Sequence, residues 1–280
     1  MNIQRALQKA NLFLREKNIK TPDLDTQILM SKVLKKKKEF IILNLDIEIT
    51  DKNLEYFNQL VDQRAKGKPI AYLTEKKSFW KYEFTINKEV LIPRPDTEII
   101  VEQVLALTKN KEKMNLLDVG IGSGCILLSI LKDKKSFLGT GIDINNKSLT
   151  ICRINGHNLD VNNRLKLFKS DIDNFNNGKY DLIISNPPYI KKAKLKYLDK
   201  DVIGFEPRQA LDGGIEGLSE IRKVINKSSE LIKKKGFFFF LMGFDQRRQV
   251  KKILENNGFY IKKIVKDLSN NDRCIISIKI

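Results

Sequence analysis

From Asn115 to the end of the chain, short apolar runs alternate with stretches of helical periodicity, and this alternation constrains the fold more than any other feature. The runs are Leu116–Val119, Leu138–Ile142, Leu165–Phe168, Leu182–Ser185, Phe237–Met242, Tyr260–Val265 and Cys274–Ile278, seven strands in all. Strands separated by helices pair in parallel, because a parallel connection needs a crossover of a dozen residues or more. Only a short loop around Asn270 and Asn271 separates the last two, so they must close as an antiparallel hairpin. The expectation is an α/β domain with a seven-stranded, mainly parallel sheet, unlike the all-parallel dinucleotide-binding sheet.

The first 74 residues read differently, as helices without a strand. Ile3, Ala6, Leu7, Ala10 and Leu14 recur at helical spacing in Met1–Glu16. Thr21-Pro22-Asp23 starts a second helix, with a capping hydroxyl, a proline at the first turn and early negative charge. Thr50-Asp51 opens another that runs through Leu54, Phe57 and Leu60 toward Ala65. The predicted division is a small helical domain over 1–74, a hairpin linker over 75–95 carrying Phe79, Trp80, Tyr82, Phe84 and Ile86, and an α/β domain over 96–280.

Composition excludes several classes of protein. With 41% apolar and 31% charged residues, the chain can bury a core, and disorder is not expected. Its net charge of +18 suits an anionic partner, but lysines such as Lys35–Lys38 and Lys233–Lys235 are spread along the whole length, and a lysine run is more often a solvated face. No stable nucleic-acid partner is therefore expected. Cys125, Cys152 and Cys274 are an unpaired set, indicating neither a disulfide framework nor a metal site, and a reducing cytoplasm fits. The amino terminus lacks the pattern of a signal peptide, and the apolar run Phe237–Met242 is too short to span a bilayer. Membrane association is disfavoured.

The first strand of the α/β region runs into Leu117-Asp118-Val119-Gly120-Ile121-Gly122-Ser123-Gly124, and a helix starts near Cys125. Glycines at alternate positions permit a tight turn and close approach to a ligand, and free amides at a helix start bind polar groups. About 20 residues on, Asp143 ends the second strand, where a carboxylate can accept both hydroxyls of a ribose. Asp171, after the third strand, is placed to accept from an adenine amino group, with Ile172 beside it to cover the ring. Capping or turn roles are the alternatives for both aspartates. Together the glycine loop and Asp143 predict an adenosine cofactor.

Asn186-Pro187-Pro188-Tyr189 follows that fourth strand. A residue before proline is driven toward extended backbone, so the Asn186 side chain projects from the strand end. An NH₂ group accepted by the Asn186 side-chain oxygen and the Pro187 carbonyl would have both hydrogens fixed, with the Tyr189 ring stacked behind it. Asn186, Pro187 and Tyr189 are the predicted catalytic residues, and Asn186 to Tyr189 the substrate contacts. His157, the one histidine, lies in a predicted helix and reads as structural.

The strand pattern resembles the class I methyltransferase fold, and the chain as a whole resembles the release-factor glutamine methyltransferases. The resemblance runs through Gly67-Lys68-Pro69-Ile70-Ala71-Tyr72-Leu73, Phe79-Trp80, Leu91-Ile92-Pro93-Arg94-Pro95-Asp96-Thr97-Glu98, the glycine loop, Asn186–Tyr189, Glu206-Pro207-Arg208, Ala210-Leu211 and Gly213-Gly214. It implies S-adenosylmethionine as cofactor, contacted by Gly120, Ile121, Gly122, Ser123, Gly124, Asp143, Asp171 or Ile172, and Asn186, with peptide-chain release factors as substrates docked by the helical domain, and methylation of the glutamine in their Gly-Gly-Gln loop by the α/β domain. A monomer is expected. Two positions depart from the family pattern: Ile172 stands where an aromatic residue is common, and Thr74-Glu75 where a glycine is expected. The alternative substrate is an exocyclic amino group of adenine or guanine in nucleic acid, which the same motif could hold.

Overall fold

The structure, a computed structural model, describes residues 1–280 and divides into two compact units. The first comprises Met1–Lys76 together with Asp199–Phe205, and the second Lys77–Leu198 with Glu206–Ile280. The expected boundaries at 75 and 96 do not contain the return of 199–205 to the helical unit.

In the first unit, helices α1 (Ile3–Glu16), α2 (Pro22–Leu34), α3 (Lys38–Leu43), α4 (Asp51–Ala65) and α5 (Ile70–Thr74) enclose a core that includes Ile3, Leu14, Leu29, Met30 and Phe57. Asn2 and Thr50 cap α1 and α4 by accepting from the amides of Arg5 and Asn53. Thr21 departs from its expected capping role: its hydroxyl donates to Asp25 Oδ1 (2.9 Å) and makes no cap bond. The reason is that Asp25 is buried and needs donors. Arg64 Nε supplies another at 2.6 Å, and the same guanidinium reaches Asp201 Oδ2 at 2.9 Å on the short helix Lys200–Ile203.

In the second unit, β1 (Lys76–Phe79) and β2 (Tyr82–Thr85) form the predicted hairpin. Helix α6 (Glu98–Leu107) then leads into the sheet formed by β3 (Asn115–Val119), β4 (Leu138–Asp143), β5 (Leu165–Lys169), β6 (Tyr180–Ser185), β7 (Ile232–Leu241), β8 (Phe259–Lys266) and β9 (Asp272–Lys279). Their order is β5-β4-β3-β6-β7-β9-β8, parallel except for β9, which runs antiparallel to both neighbours. Each predicted strand is present. β7 begins earlier than predicted, and its lysines Lys233–Lys235 are exposed, with Lys235 at φ +62° beside a register shift. The apolar half of β7 is buried, and Phe238 packs on Phe259 with ring centroids 5.4 Å apart.

The chain steps outward from β3 to β4 and β5, then returns to place β6 on the other side of β3. Such a reversal opens a crevice at the carboxyl ends of the two central strands. Val119 pairs with Ser185 there, so Gly120 and Asn186 leave neighbouring strands at the same level. No helix is long and apolar enough to cross a membrane.

The buried Asp25–Arg64 pair makes a specific claim about the helical unit. Arg64→Met removes the donor and leaves a buried carboxylate uncompensated, a change expected to cost about 3–5 kcal/mol. Urea denaturation measures it; a loss below about 1 kcal/mol would show that the pair contributes nothing net.

Candidate active site

The glycine loop is shaped by its hydrogen bonds to β4. Gly120 and Ile121 both donate to the Ile142 carbonyl at 3.0 Å, and Gly122 donates to Asp143 Oδ2 at 3.0 Å. Asp143 Oδ1 accepts from Asn145 N at 2.8 Å, so one carboxylate braces the loop and the start of α8 (Asn146–Asn158). The capping alternative for Asp143 goes instead to Asn145, whose side chain accepts from Lys147 N. Gly120 (φ +76°) and Gly122 (φ +54°) have left-handed backbone, and a Cβ on either would meet nothing within 4 Å. Their backbone therefore faces open space that a ligand can enter. Gly124 differs: a Cβ there would lie 2.6 Å from Cys152 Sγ and 2.7 Å from Leu128 Cδ1. This glycine lets α7 (Cys125–Asp133) pack against α8, and it is not on the cavity wall, contrary to the expected cofactor contact.

The loop opens on a cavity of about 730 Å³, within the range of small-molecule sites. Gly120, Ile121, Gly122, Ser123, Asp143, Asp171, Ile172, Asn186, Pro187 and Pro188 all line it. Asp171 also closes a turn, accepting from Asp173 N at 2.9 Å, so the turn role and the wall position coexist. Ile172 is buried in the core cluster behind the wall. The half-buried Asn186 follows Ser185, whose hydroxyl donates to the Val119 carbonyl across the strand pair at 3.0 Å.

Tyr189 is not on the wall. Its ring packs against the core, and its carbonyl accepts from Gln246 Nε2 at 3.0 Å. The cause lies in the next residue, where Ile190 pairs in parallel with Asp212 and its carbonyl accepts from Gly213 N at 2.9 Å. That pairing brings Pro207, Ala210, Asp212 and Gly214 to the cavity, none of which sequence reasoning assigned to the site. Arg94 and Thr97 were likewise missed and also line it. Arg94 is held by Glu206, whose other oxygen accepts from Ile92 N at 3.2 Å. The motifs containing these residues stood out in the sequence, but partners 112 residues apart have no local signature.

Support behind the loop is polar and buried. Asn155 on α8 donates to the carbonyls of Ser123 and Thr85, both at 2.9 Å, and accepts from Thr85 N at 2.7 Å, clamping the loop to β2. Asp118 lies fully buried beneath the loop, and burial pushes its carboxyl up to about 7, with Asp143 adding to the shift and the Leu127 amide opposing it. Burial also raises Asp143, against the amides of Asn145 and Gly122. Cys125 lines the cavity, but burial pushes its thiol up to about 12, which leaves it inert as a nucleophile near neutral pH. His157 is exposed on α8 and is not part of the wall.

Comparison with known proteins places these features in a family context. Residues 5–74 match the PrmC N-terminal domain, and residues 96–214 the methyltransferase small domain. The release factor glutamine methyltransferase of Clostridium acetobutylicum is 37% identical over 282 residues, spanning 100% of this chain and 99% of its own length. That of Caulobacter vibrioides is 32% identical over 280 residues, covering 100% and 97%. Among solved structures, a methyltransferase from Pyrococcus furiosus matches with a TM-score of 0.53 at 16% identity, covering 78% of this chain and 96% of that one. A ribosomal protein L11 methylase from Lactobacillus delbrueckii gives 0.51 at 17%, covering 69% and 83%. These two structures share the fold.

The buried Asp118 carries a pH signature. Its folded pKa lies above the ordinary carboxylate value, so the stability it contributes is complete below about pH 4 and is lost as pH rises through about 7. Asp118→Asn is neutral throughout and removes that slope. Across this window the wild type should lose roughly a few kcal/mol relative to the variant in denaturant titrations; parallel curves would refute the assignment.

Proposed function

The chain belongs to the release factor glutamine methyltransferase family, and from that premise we propose that it uses S-adenosylmethionine to methylate the side-chain amide nitrogen of the glutamine in the Gly-Gly-Gln motif of peptide-chain release factors. The observation that carries this reading is the Val119–Ser185 pairing, which puts an open glycine loop and Asn186 side by side on one cavity. Docking of the factor on the helical unit and a cytoplasmic setting belong to the same reading.

The residues present suit the donor. Gly120 and Gly122 offer backbone to open space, Asp143 sits at the end of β4 where a ribose diol would be accepted, and Asp171 with Ile172 provides a polar edge beside an apolar surface. Bound there, S-adenosylmethionine supplies a methyl group activated by its sulfonium. The chain's own task is orientation. A primary amide delocalises its lone pair and is a weak nucleophile, so fixing its approach recovers much of the barrier as pre-arranged geometry. The Asn186 side-chain oxygen and the Pro187 carbonyl would each accept one N–H of the amide, leaving the nitrogen a single direction to face. Tyr189 serves this arrangement through its backbone, which Gln246 and the Ile190–Asp212 bridge hold in place. Methyl transfer leaves the amide nitrogen transiently cationic, and that species is acidic enough to lose its proton to water, so no dedicated base is required.

Incubation with labelled S-adenosylmethionine and purified release factors, ribosomal RNA and DNA, followed by mass spectrometry, tests the substrate. Label is expected on the glutamine of the Gly-Gly-Gln loop; label on nucleic acid alone would reject it and favour the base-amine alternative. Asn186→Ala should reduce turnover by about 100-fold or more while sparing donor affinity. A variant of near-normal rate would refute the orienting role.

A further inference from the structure

Gly213-Gly214 is conspicuous in the sequence, yet orienting the substrate amide makes no use of it. These glycines begin a tight loop, Gly213–Gly217, that packs on the backbone of Asn186–Tyr189. A Cβ on Gly213 would lie 2.9 Å from the Pro188 carbonyl oxygen and 2.9 Å from the Gly217 Cα. One on Gly217, whose φ is +74°, would lie 2.5 Å from the Tyr189 carbonyl oxygen. Only glycine fits at either position, so the loop is built to lie against the segment proposed to hold the amide.

Hydrogen bonds pin both ends of this loop. Gly214 N donates to Asp212 Oδ1 at 3.0 Å, and the Gly214 carbonyl accepts from Lys192 N at 2.9 Å. At the other end the Gly217 carbonyl accepts from Gln246 Nε2 at 2.9 Å. Gln246 is buried, and the same nitrogen donates to the Tyr189 carbonyl, so one side chain bolts the loop to the segment beneath it. Between these pins the peptide groups of Ile215 and Glu216 make no hydrogen bond within the chain. The Ile215 side chain is 85% exposed while lining the cavity, whereas Leu218, three residues on, is buried in the core. An isolated exposed aliphatic group is ordinary on a protein surface. Ile215 differs in its place: it stands on a rigid loop at the rim of the cavity, beside Pro187 and Pro188, with unspent peptide groups next to it.

We propose that the Gly213–Gly217 loop, through Ile215, binds the stretch of substrate polypeptide next to the target glutamine. The inference rests on the proposed methylation of a protein glutamine. A glutamine side chain is short, so the main chain that carries it must pass close to the residues that hold its amide, and the loop packed on Pro188 borders that path. The two glycines of a Gly-Gly-Gln target carry no side chains. Their backbone is open to an aliphatic group laid against it and to peptide groups with hydrogen bonds to give, and the loop tip offers both. A bulky residue in place of either glycine would hold the chain away from Ile215.

Steady-state kinetics of methyl transfer to a purified release factor test this contact. Ile215→Asp and Ile215→Lys should each raise KM for the factor about tenfold, the worth of one aliphatic side chain removed from an interface. The value of kcat should stay the same, because the contact is made alike before and during methyl transfer. Ile215→Leu, which keeps an aliphatic group, should restore the wild-type KM. Calorimetry with S-adenosylhomocysteine should give one donor affinity for all four proteins. An unchanged KM in the two charged variants overturns the contact. So does a rise with one charge and a fall with the other, which would assign the effect to the charge of the rim, and so does a parallel loss of S-adenosylhomocysteine affinity, which would mark a distorted cavity. A wild type that labels nucleic acid and leaves the factor unlabelled overturns the function reading itself, and this inference with it.

Discussion

The parallel pairing of β3 with β6 is the contact on which the rest of the catalytic unit depends. Hydrogen bonding in register sets Val119 opposite Ser185, and the Ser185 hydroxyl adds a bond to the Val119 carbonyl. A slip of one residue would send each side chain of the shifted strand to the opposite packed face and separate the glycine loop from Asn186. That register is strongly specified because Leu116, Leu117, Leu182, Ile183 and Ile184 are all buried, leaving neither face of the two strands tolerant of an alternative. Two loops that must act on one small volume are therefore positioned by the sheet core beneath them.

Around that pairing, polar groups in the interior fix what the apolar core cannot. Asp143 braces the glycine loop, Asn155 ties it to β2, and Gln246 spans Tyr189 and Gly217. Each satisfies backbone groups in segments without regular pairing, where an unbonded buried amide or carbonyl would be costly. Asp118 lies beneath them with its carboxyl raised toward neutrality by burial. A loop held this way arrives at its ligand already formed, so less conformational entropy is lost on binding.

The excursion after Asn186–Tyr189 shows how the fold recruits distant chain to the site. The Ile190–Asp212 bridge closes the base of a loop whose middle, Asp199–Phe205, clusters with the helical unit through the Arg64–Asp201 pair. Glu206 then returns to Arg94 and to the Ile92 amide. One stretch of chain thus contributes to the helical unit at its centre and to the cavity wall at its end. It follows directly upon the residues proposed to orient the substrate amide.

The sequence by itself determined the seven strands, the antiparallel close of the sheet, the helical amino-terminal region, the glycine loop and the strand-end Asn186. All of these follow from local periodicity, chain length between strands, or backbone limits at glycine and before proline, which need no distant partner. What the tertiary structure decided were matters of distance. Gly124 reads like its neighbours in the loop but is needed for contact with Cys152, and Tyr189 reads as a stacking ring but is drawn into the core by Gln246 and the Ile190 bridge. Thr21 carries a capping hydroxyl in sequence, and a buried Asp25 took it. Arg94 with Glu206, and the cavity wall they help to build, depend on packing across more than a hundred residues. A side chain's local preference is a matter of tenths to about 1 kcal/mol, and the satisfaction of a buried charge or polar group outweighs it.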